Sequence, residues 1–140
     1  MKYSRRDLSL LLPVIAAANA TAEEGVLASK VYRFEDLPVR GPDTWRSRAI
    51  FSGKTHTNYA VDLHHSELAA GVAPHPPHQH VHEEVLLIIA GTLEVMVANS
   101  TQTVGAGSVV YFASNQKHGW RNPGPRVAQY FVLALGGDQA

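Results

Sequence analysis

The chain has 140 residues, of which 45% are hydrophobic and 17% charged, so it can bury the core of one globular domain and hardly two. Twelve basic and twelve acidic residues cancel, and this balance disfavours nucleic acid and anionic membrane surfaces as partners. Cysteine is absent, so disulfides, thiolate metal sites and cysteine nucleophiles are excluded.

Residues 1–22 are predicted to form a cleavable export signal of the twin-arginine type. The Arg5-Arg6 pair precedes an uncharged apolar stretch at 8–18, and Ala-Asn-Ala at 18–20 provides a site for cleavage. The apolar stretch is too short for a membrane span, which needs about twenty residues. Cleavage there, or two residues later, would leave a periplasmic or secreted protein. The alternative interpretation is an amphipathic helix that remains on the mature protein.

From about residue 30 onward, short apolar or alternating runs rich in β-branched and aromatic residues predict strands. Gly, Pro, Asn and Ser separate these runs, and no helical periodicity follows the export signal. No repeat or linker divides residues 23–140, which are therefore predicted to form a single all-β domain, a sandwich or a barrel. The predicted strands are residues 31–37, 46–52, 57–68, 85–90, 93–98, 108–112 and 127–135.

Histidine is unusually frequent, with eight residues, and its distribution predicts a metal site. Residues two apart in a strand project from the same face, so His78 and His80 can point together into a barrel interior, and Glu84 has the same parity. One strand cannot surround an ion, and His118, which begins another strand after a turn, is the best candidate for a fourth ligand. Three imidazoles and a carboxylate suit one divalent transition-metal ion, with Mn, Fe, Ni, Cu and Zn left open.

Two further residues are predicted near this site without being ligands. His82 has the parity of a ligand, but we assign it a supporting position beside the ligands or in the cavity wall. Trp120 shares the parity of His118 and is expected either to line the cavity beside the metal or to pack in the core. No second acid–base pair is apparent. Surface positions are expected for three earlier histidines, one of which could reach the site, namely His56, His64 and His65.

Two spaced motifs resemble those of the cupin superfamily. In the first cupin motif a glycine precedes His-x-His, and Glu and Gly follow at set intervals; the leading gap here is six residues instead of five. The second motif has Ala113 where cupins carry proline and Asn115 where they carry glycine. Asparagine tolerates a left-handed backbone better than most residues, so the turn can still close. The matching residues are Gly71, His78, His80, Glu84 and Gly91 in the first motif and Gly107, His118 and Asn122 in the second.

The resemblance covers about residues 57–135 and implies a double-stranded β-helix, that is, a jelly-roll barrel of six to eight strands. It also implies that the four matching histidine and glutamate side chains bind the metal. Cupins include dioxygenases, decarboxylases, isomerases, lyases and binding proteins, so the fold by itself does not name the activity.

The leading functional hypothesis is an exported metal-dependent cupin enzyme that acts on a small oxygen-rich molecule. Four protein ligands on an octahedral ion leave two cis positions for water or substrate, as dioxygenase-like or Lewis-acid chemistry requires. The alternative is a non-catalytic module that binds or senses metal or a small, sugar-like ligand. A homodimer is expected, because the early runs 31–37 and 46–52 lie outside the two-motif core and are free to pair with a second subunit.

Overall fold

The computed structural model describes residues 25–136, and the predicted export signal lies outside them. The described part is built from antiparallel strands, which confirms the expected all-β jelly-roll fold. Between residues 25 and 136, no helix has the length and hydropathy that crossing a bilayer requires. The strands are β1 (Trp45–Lys54), β2 (Ala60–Leu68), β3 (Glu83–Ala90), β4 (Thr92–Val97), β5 (Ser100–Gly105), β6 (Val109–Phe112), β7 (His118–Arg121) and β8 (Ala128–Leu135).

Two sheets enclose the core. One has five strands in the order β1-β2-β8-β3-β6, and the other has three in the order β5-β4-β7. Alternate residues of each strand face inward, as the two-residue period of a strand requires. On β3 this inward row ends in Glu84, which is 9% exposed and places a carboxylate at one end of an otherwise apolar row. The buried apolar residues are Leu68, Leu86, Ile88, Leu93, Val95, Phe112, Trp120, Ala128, Tyr130 and Val132.

The predicted strand at residues 31–37 is wrong. Its centre is a short 3-10 helix, Phe34–Asp36, and the surrounding segment pairs with the backbone of β1 through isolated bridges at Val26 and Arg40. Between these bridges the Phe34 ring lies across the outer face of the five-stranded sheet, with its centroid 4.9 Å from that of His65. The segment therefore covers a face of the sheet instead of adding a strand to it.

Strand β5 has no counterpart among the predicted strands. Residues 100–103 are exposed and polar, so they lack the alternation by which a half-buried strand is recognised. The strand exists because it pairs along β4, with Val95 opposite Gln102. The connecting loop, Ala98-Asn99, has only two residues, and Ala98 has a φ of 52°. The other six predicted strands correspond to β1, β2, β3, β4, β6 and β8 with small shifts of their ends.

Candidate metal centre

Backbone hydrogen bonds join the two motif segments. The N–H of His78 donates to the carbonyl of His118, and the N–H of His118 donates to the carbonyl of His78, both at 2.9 Å. The N–H of Asn115 donates to the carbonyl of His80 at 2.7 Å, and Asn115 has a φ of 58°. This left-handed conformation confirms that asparagine can close the turn at the position of the cupin glycine. The pairing brings three histidines on two segments to one end of the barrel.

Backbone carbonyls orient two of the imidazole rings. Nδ1 of His80 lies 2.7 Å from the carbonyl oxygen of His82, and Nδ1 of His118 lies 2.7 Å from that of Gln116. A carbonyl oxygen only accepts hydrogen bonds, so each Nδ1 carries the proton and each Nε2 presents a lone pair. Support of this kind is typical of histidines that bind metal through Nε2.

The ring nitrogens of His78, His80 and His118 converge within 4.8 Å of one another. Oε2 of Glu84 lies 3.2 Å from Nε2 of His118 and 3.5 Å from Nε2 of His80. Two donors that are each about 2.1 Å from one ion lie about 3 to 4.2 Å apart, so the two distances from Glu84 suit a metal shared with His118 and His80. Moreover, Nδ1 of His78 and Nε2 of His80 are buried without a hydrogen-bond partner among residues 25–136. Bound metal would satisfy buried lone pairs of this kind.

The surroundings of His78 disfavour protonation of its ring, as binding of a metal requires. Burial is the main cause that lowers the pKa of His78, and the neighbouring imidazoles of His75, His118 and His80 lower it further. A metal competes with protons for the same lone pair, so a lowered pKa favours binding near neutral pH.

His82 lies against the same carboxylate as the other histidines. Its ring stacks on His80 with centroids 3.5 Å apart and an interplanar angle of 7°, and its Nε2 lies 3.5 Å from Oε1 of Glu84. His80, His82 and Glu84 thus form a second trio that overlaps the first and could also hold an ion. The structure places His82 beside the cluster, in the wall of the adjoining cavity.

Aromatic rings support the cluster from the core side. The Phe112 ring stacks on His118 with centroids 4.2 Å apart, and Trp120 stacks on Phe112 at 5.8 Å. Trp120 donates a hydrogen bond from Nε1 to the hydroxyl of Tyr130 at 2.9 Å. Burial raises the pKa of Tyr130 to about 12, so its hydroxyl stays protonated. Trp120 is therefore packed in the core, and it also lines a small cavity of about 160 Å³ that reaches Glu84.

A larger cavity of about 480 Å³ opens beside Glu84 and His82, and it contains a pair that sequence reasoning missed. Nδ1 of His64 lies 3.3 Å from Oδ1 of Asp62, and both residues line this cavity. His64 is 33% exposed and is the early histidine that reaches the cavity beside the site, and its pairing with Asp62 is not apparent from the sequence. The two-residue spacing of Asp62 and His64 in β2 was the available signal, because it puts both side chains on one face.

The surface placement predicted for His65 is wrong, whereas His56 is exposed as expected. His65 is 0% exposed, because Phe34 covers it from the outer side and Phe131 lies beside it with ring centroids 5.3 Å apart. Burial lowers the pKa of His65. Sequence reasoning could not foresee this, because the covering segment was predicted to be a strand.

Comparisons with known proteins agree with this architecture. The sequence model of a protein family described as "Cupin domain" matches residues 64–134, just over half of the chain. No curated protein sequence matches the chain.

Many solved structures resemble the fold at low sequence identity. KdgF from Halomonas sp. is 13% identical, with a TM-score of 0.67 over 77% of this chain and 95% of its own. A predicted oxalate decarboxylase from Thermotoga maritima is 15% identical, with a TM-score of 0.67 over 77% of this chain and 100% of its own. The polyketide cyclase RemF from Streptomyces resistomycificus is 18% identical, with a TM-score of 0.64 over 81% of this chain and 83% of its own. Identity at this level shows a common fold alone.

Proposed function

The chain belongs to the cupin domain family, and from that premise we propose that it is an exported metal-dependent enzyme. It binds one divalent transition-metal ion through His78, His80, Glu84 and His118, and it acts on a small oxygen-rich molecule. The export part of the proposal is supported by the Arg5-Arg6 pair and the apolar stretch that follows it.

The observation that carries the metal proposal is a cluster of three histidines with buried, unpaired ring nitrogens beside one carboxylate. Nε2 of His80 is buried without a hydrogen-bond partner in the described chain, and it lies 3.5 Å from Oε2 of Glu84. Burying polar atoms unpaired costs stability, so a protein that keeps several at one point gains from a ligand there. Nitrogen and oxygen donors together suit first-row transition metals better than calcium or magnesium.

The chain's own residues would prepare this site for chemistry. Carbonyl acceptors hold the Nδ1 protons of His80 and His118, which keeps both Nε2 lone pairs directed at the cluster. The stacked Phe112 ring limits movement of His118 and excludes water from that side. When bound, a transition-metal ion supplies Lewis acidity or a redox centre for dioxygen chemistry. The neighbouring cavity of about 480 Å³ has the size of a small-molecule site.

A non-catalytic module that binds metal or a small ligand would use the same residues, so only an assay separates the two functions. Enzyme names among the similar folds, a predicted oxalate decarboxylase and a polyketide cyclase, support the catalytic hypothesis. The acid–base pair in the cavity supports it as well, because simple sequestration of a metal needs no such pair.

The experiment begins with metal analysis of the protein and of Glu84→Gln. Samples loaded with Fe(II) or Mn(II) are then incubated with a panel of phenols and dicarboxylates, while oxygen consumption and substrate loss are followed. We expect about one metal ion per chain, and turnover that Glu84→Gln lacks. Stoichiometric metal with binding but no turnover would assign the chain to the non-catalytic class. Absence of stoichiometric metal would overturn the proposal.

A further inference from the structure

Strand register places one row of residues across the inner face of the five-stranded sheet, beside the metal centre. Ser52 pairs with Asp62, Asp62 pairs with Ala134, and Ala134 pairs with Glu84. The small Ala134 side chain lies between the two carboxylates, and this leaves room for the cavity of about 480 Å³. The row thus connects the candidate metal centre to β1 on the far side of the cavity.

Lys54 lies in the cavity wall at that far side. It follows Ser52 by two residues on β1, so it has the same parity, and it pairs with Ala60. Lys54 forms no ion pair with any residue between 25 and 136. Three strand spacings separate β1 from β3, which puts Ser52 and Glu84 about 14 Å apart at the backbone, and Lys54 lies about 7 Å further along β1.

His64 stands between these two ends of the cavity. Nδ1 of His64 donates a hydrogen bond to the Asp62 carboxylate, which orients the ring and leaves Nε2 as the ring nitrogen that Asp62 does not engage. The His64 side chain is 33% exposed, and the residue lines both the large cavity and the small one beside Trp120. Nε2 is therefore available to accept a hydrogen bond from the hydroxyl group of a ligand.

The charges of the wall favour an anionic ligand once the metal is present. The positive charge of Lys54 cancels the negative charge of Asp62. A divalent ion would add two positive charges to the one negative charge of Glu84, so the wall would carry one net positive charge. Without the ion the same wall carries one net negative charge, which would repel an acid. The ligand class thus depends on the metal site.

We propose that this cavity binds a small hydroxy acid, of roughly four to six carbon atoms given the space between the facing side chains. Lys54 pairs with the carboxylate, and His64, positioned by Asp62, accepts a hydrogen bond from the hydroxyl. This inference rests on the proposed function in one respect, because it takes the metal-loaded protein as the form that binds.

The test measures binding to the metal-loaded protein by calorimetry, with metal content determined in every sample. Malate and gluconate are the probes; malamide lacks the charge of malate, and succinate lacks only its hydroxyl. We expect both hydroxy acids to bind, and malate to bind more tightly than either of its analogues. Lys54→Gln should lower the affinity for malate about three- to tenfold. Lys30→Gln, a matched change at an exposed lysine outside the cavity, should leave this affinity unchanged.

His64→Asn tests the second contact. The shorter amide can still donate to Asp62, but it lacks the Nε2 acceptor. The preference for malate over succinate should fall about three- to tenfold, with metal content unchanged. Full metal occupancy without binding of either hydroxy acid, or equal effects of Lys54→Gln and Lys30→Gln, would overturn this inference and leave the proposed function intact. Acid binding that needs Lys54 but no metal would contradict the metal dependence of this inference, whereas absence of stoichiometric metal would overturn the proposed function.

Discussion

Each histidine in this chain has its own surroundings, and these surroundings decide what the ring can do. His118 is 1% exposed, bonds a carbonyl through Nδ1 and stacks on Phe112, so its position is closely constrained. His82 shares the carboxylate of Glu84 but stands at the cavity wall. His65 is buried on the opposite side of the sheet among Phe34 and Phe131. Substitutions at these positions therefore test different properties of the protein.

The first prediction compares His118→Ala with His82→Ala. His118 is the one member of the cluster from the second motif, so its loss should remove most of the bound metal. His82→Ala should weaken metal affinity by about 10–100-fold, as loss of a supporting residue typically does. Metal content and melting temperature of both variants, with and without added metal, provide the measurement. Added metal should raise the melting temperature of the wild type by mass action, and little or not at all that of His118→Ala.

The melting temperatures without metal serve as the folding control. A core drawn from both sheets should keep the metal-free barrel folded, unlike a zinc finger. Equal metal loss in the two variants, or full occupancy in His118→Ala, would show that the coordination sphere is assigned wrongly.

The second prediction concerns pH and His65. Burial lowers the pKa of His65 in the folded protein, and Glu67 only partly opposes this effect. The unfolded chain therefore binds a proton more readily, and folding free energy is lost as pH falls below about 6.5. His65→Leu should show a smaller loss of unfolding free energy than the wild type between pH 7.5 and 5. Urea titrations at several pH values measure this difference, and His56→Leu at the exposed histidine is the matched control. Identical pH dependence of His65→Leu and wild type would contradict the prediction.

At the scale of elements, Asn122 ties loops to the barrel. It is 0% exposed, and its Nδ2 donates to the carbonyls of Leu68 at 2.8 Å and Arg126 at 2.7 Å. Its Oδ1 accepts a hydrogen bond from the N–H of Gly124 at 2.9 Å. The end of β2, the segment after β7 and the approach to β8 are thereby held together around one side chain. The second cupin motif thus contains a structural residue beside its candidate metal ligand.

The third prediction follows from these bonds. Asn122→Ala removes three hydrogen bonds, one of them to the buried carbonyl of Leu68 and one to the partly buried carbonyl of Arg126, so it should lower the free energy of unfolding by about 2 to 4 kcal/mol. Asn99→Ala, at the exposed β4–β5 loop, should change it by less than about 0.5 kcal/mol. Urea unfolding of both variants without metal gives the comparison. Similar values for both would mean that the Asn122 hydrogen bonds contribute little.

At the scale of the whole molecule, the fourth prediction concerns export. The mature chain should begin near Thr21 or Glu23 and lie outside the cytoplasm, because the Arg5-Arg6 pair is followed by an apolar stretch and a small-residue cleavage site. Intact mass of the exported protein measures the start. An exported mass that still includes residues 1–20 would contradict cleavage. Continued export after replacing both arginines with lysine would contradict the twin-arginine type.

The fifth prediction concerns assembly. An apolar patch lies on the outer surface of β3 and β6. It consists of Leu87, Ile89, Val109 and Tyr111, which are 41% to 63% exposed. Because β6 is an edge strand of the five-stranded sheet, a second subunit could cover both the patch and the unpaired edge. We expect a homodimer in sedimentation at micromolar concentration, which Val109→Glu disrupts. Val31→Glu, in the segment first considered for pairing, should leave it intact. A monomer in the wild type would contradict the prediction.

Much of this architecture could be predicted from the sequence, and the failures share a cause. Six strands and the turn at Asn115 follow from alternation, spacing and turn chemistry, which act over a few residues. Strand β5 was not predicted, because its strand conformation depends on pairing with β4 and not on an apolar pattern of its own. Segment 31–37 was misassigned because alternation cannot distinguish a strand from a segment that lies across a sheet face. In the candidate site, the role of Asp62 and His64 was not predicted because residues of other strands form the rest of the cavity that the pair lines.

By itself, the sequence determined the all-β fold class and nominated Glu84 and the three histidines of the cluster beside it. Both depend on short-range periodicity and on motif spacing, and these features are visible in the amino-acid sequence itself. Only the tertiary structure decided that Lys54 and His64 share a cavity with Glu84 and that His65 is buried under Phe34. These relations depend on the strand order β1-β2-β8-β3, and that order arises from long-range packing that no local pattern contains.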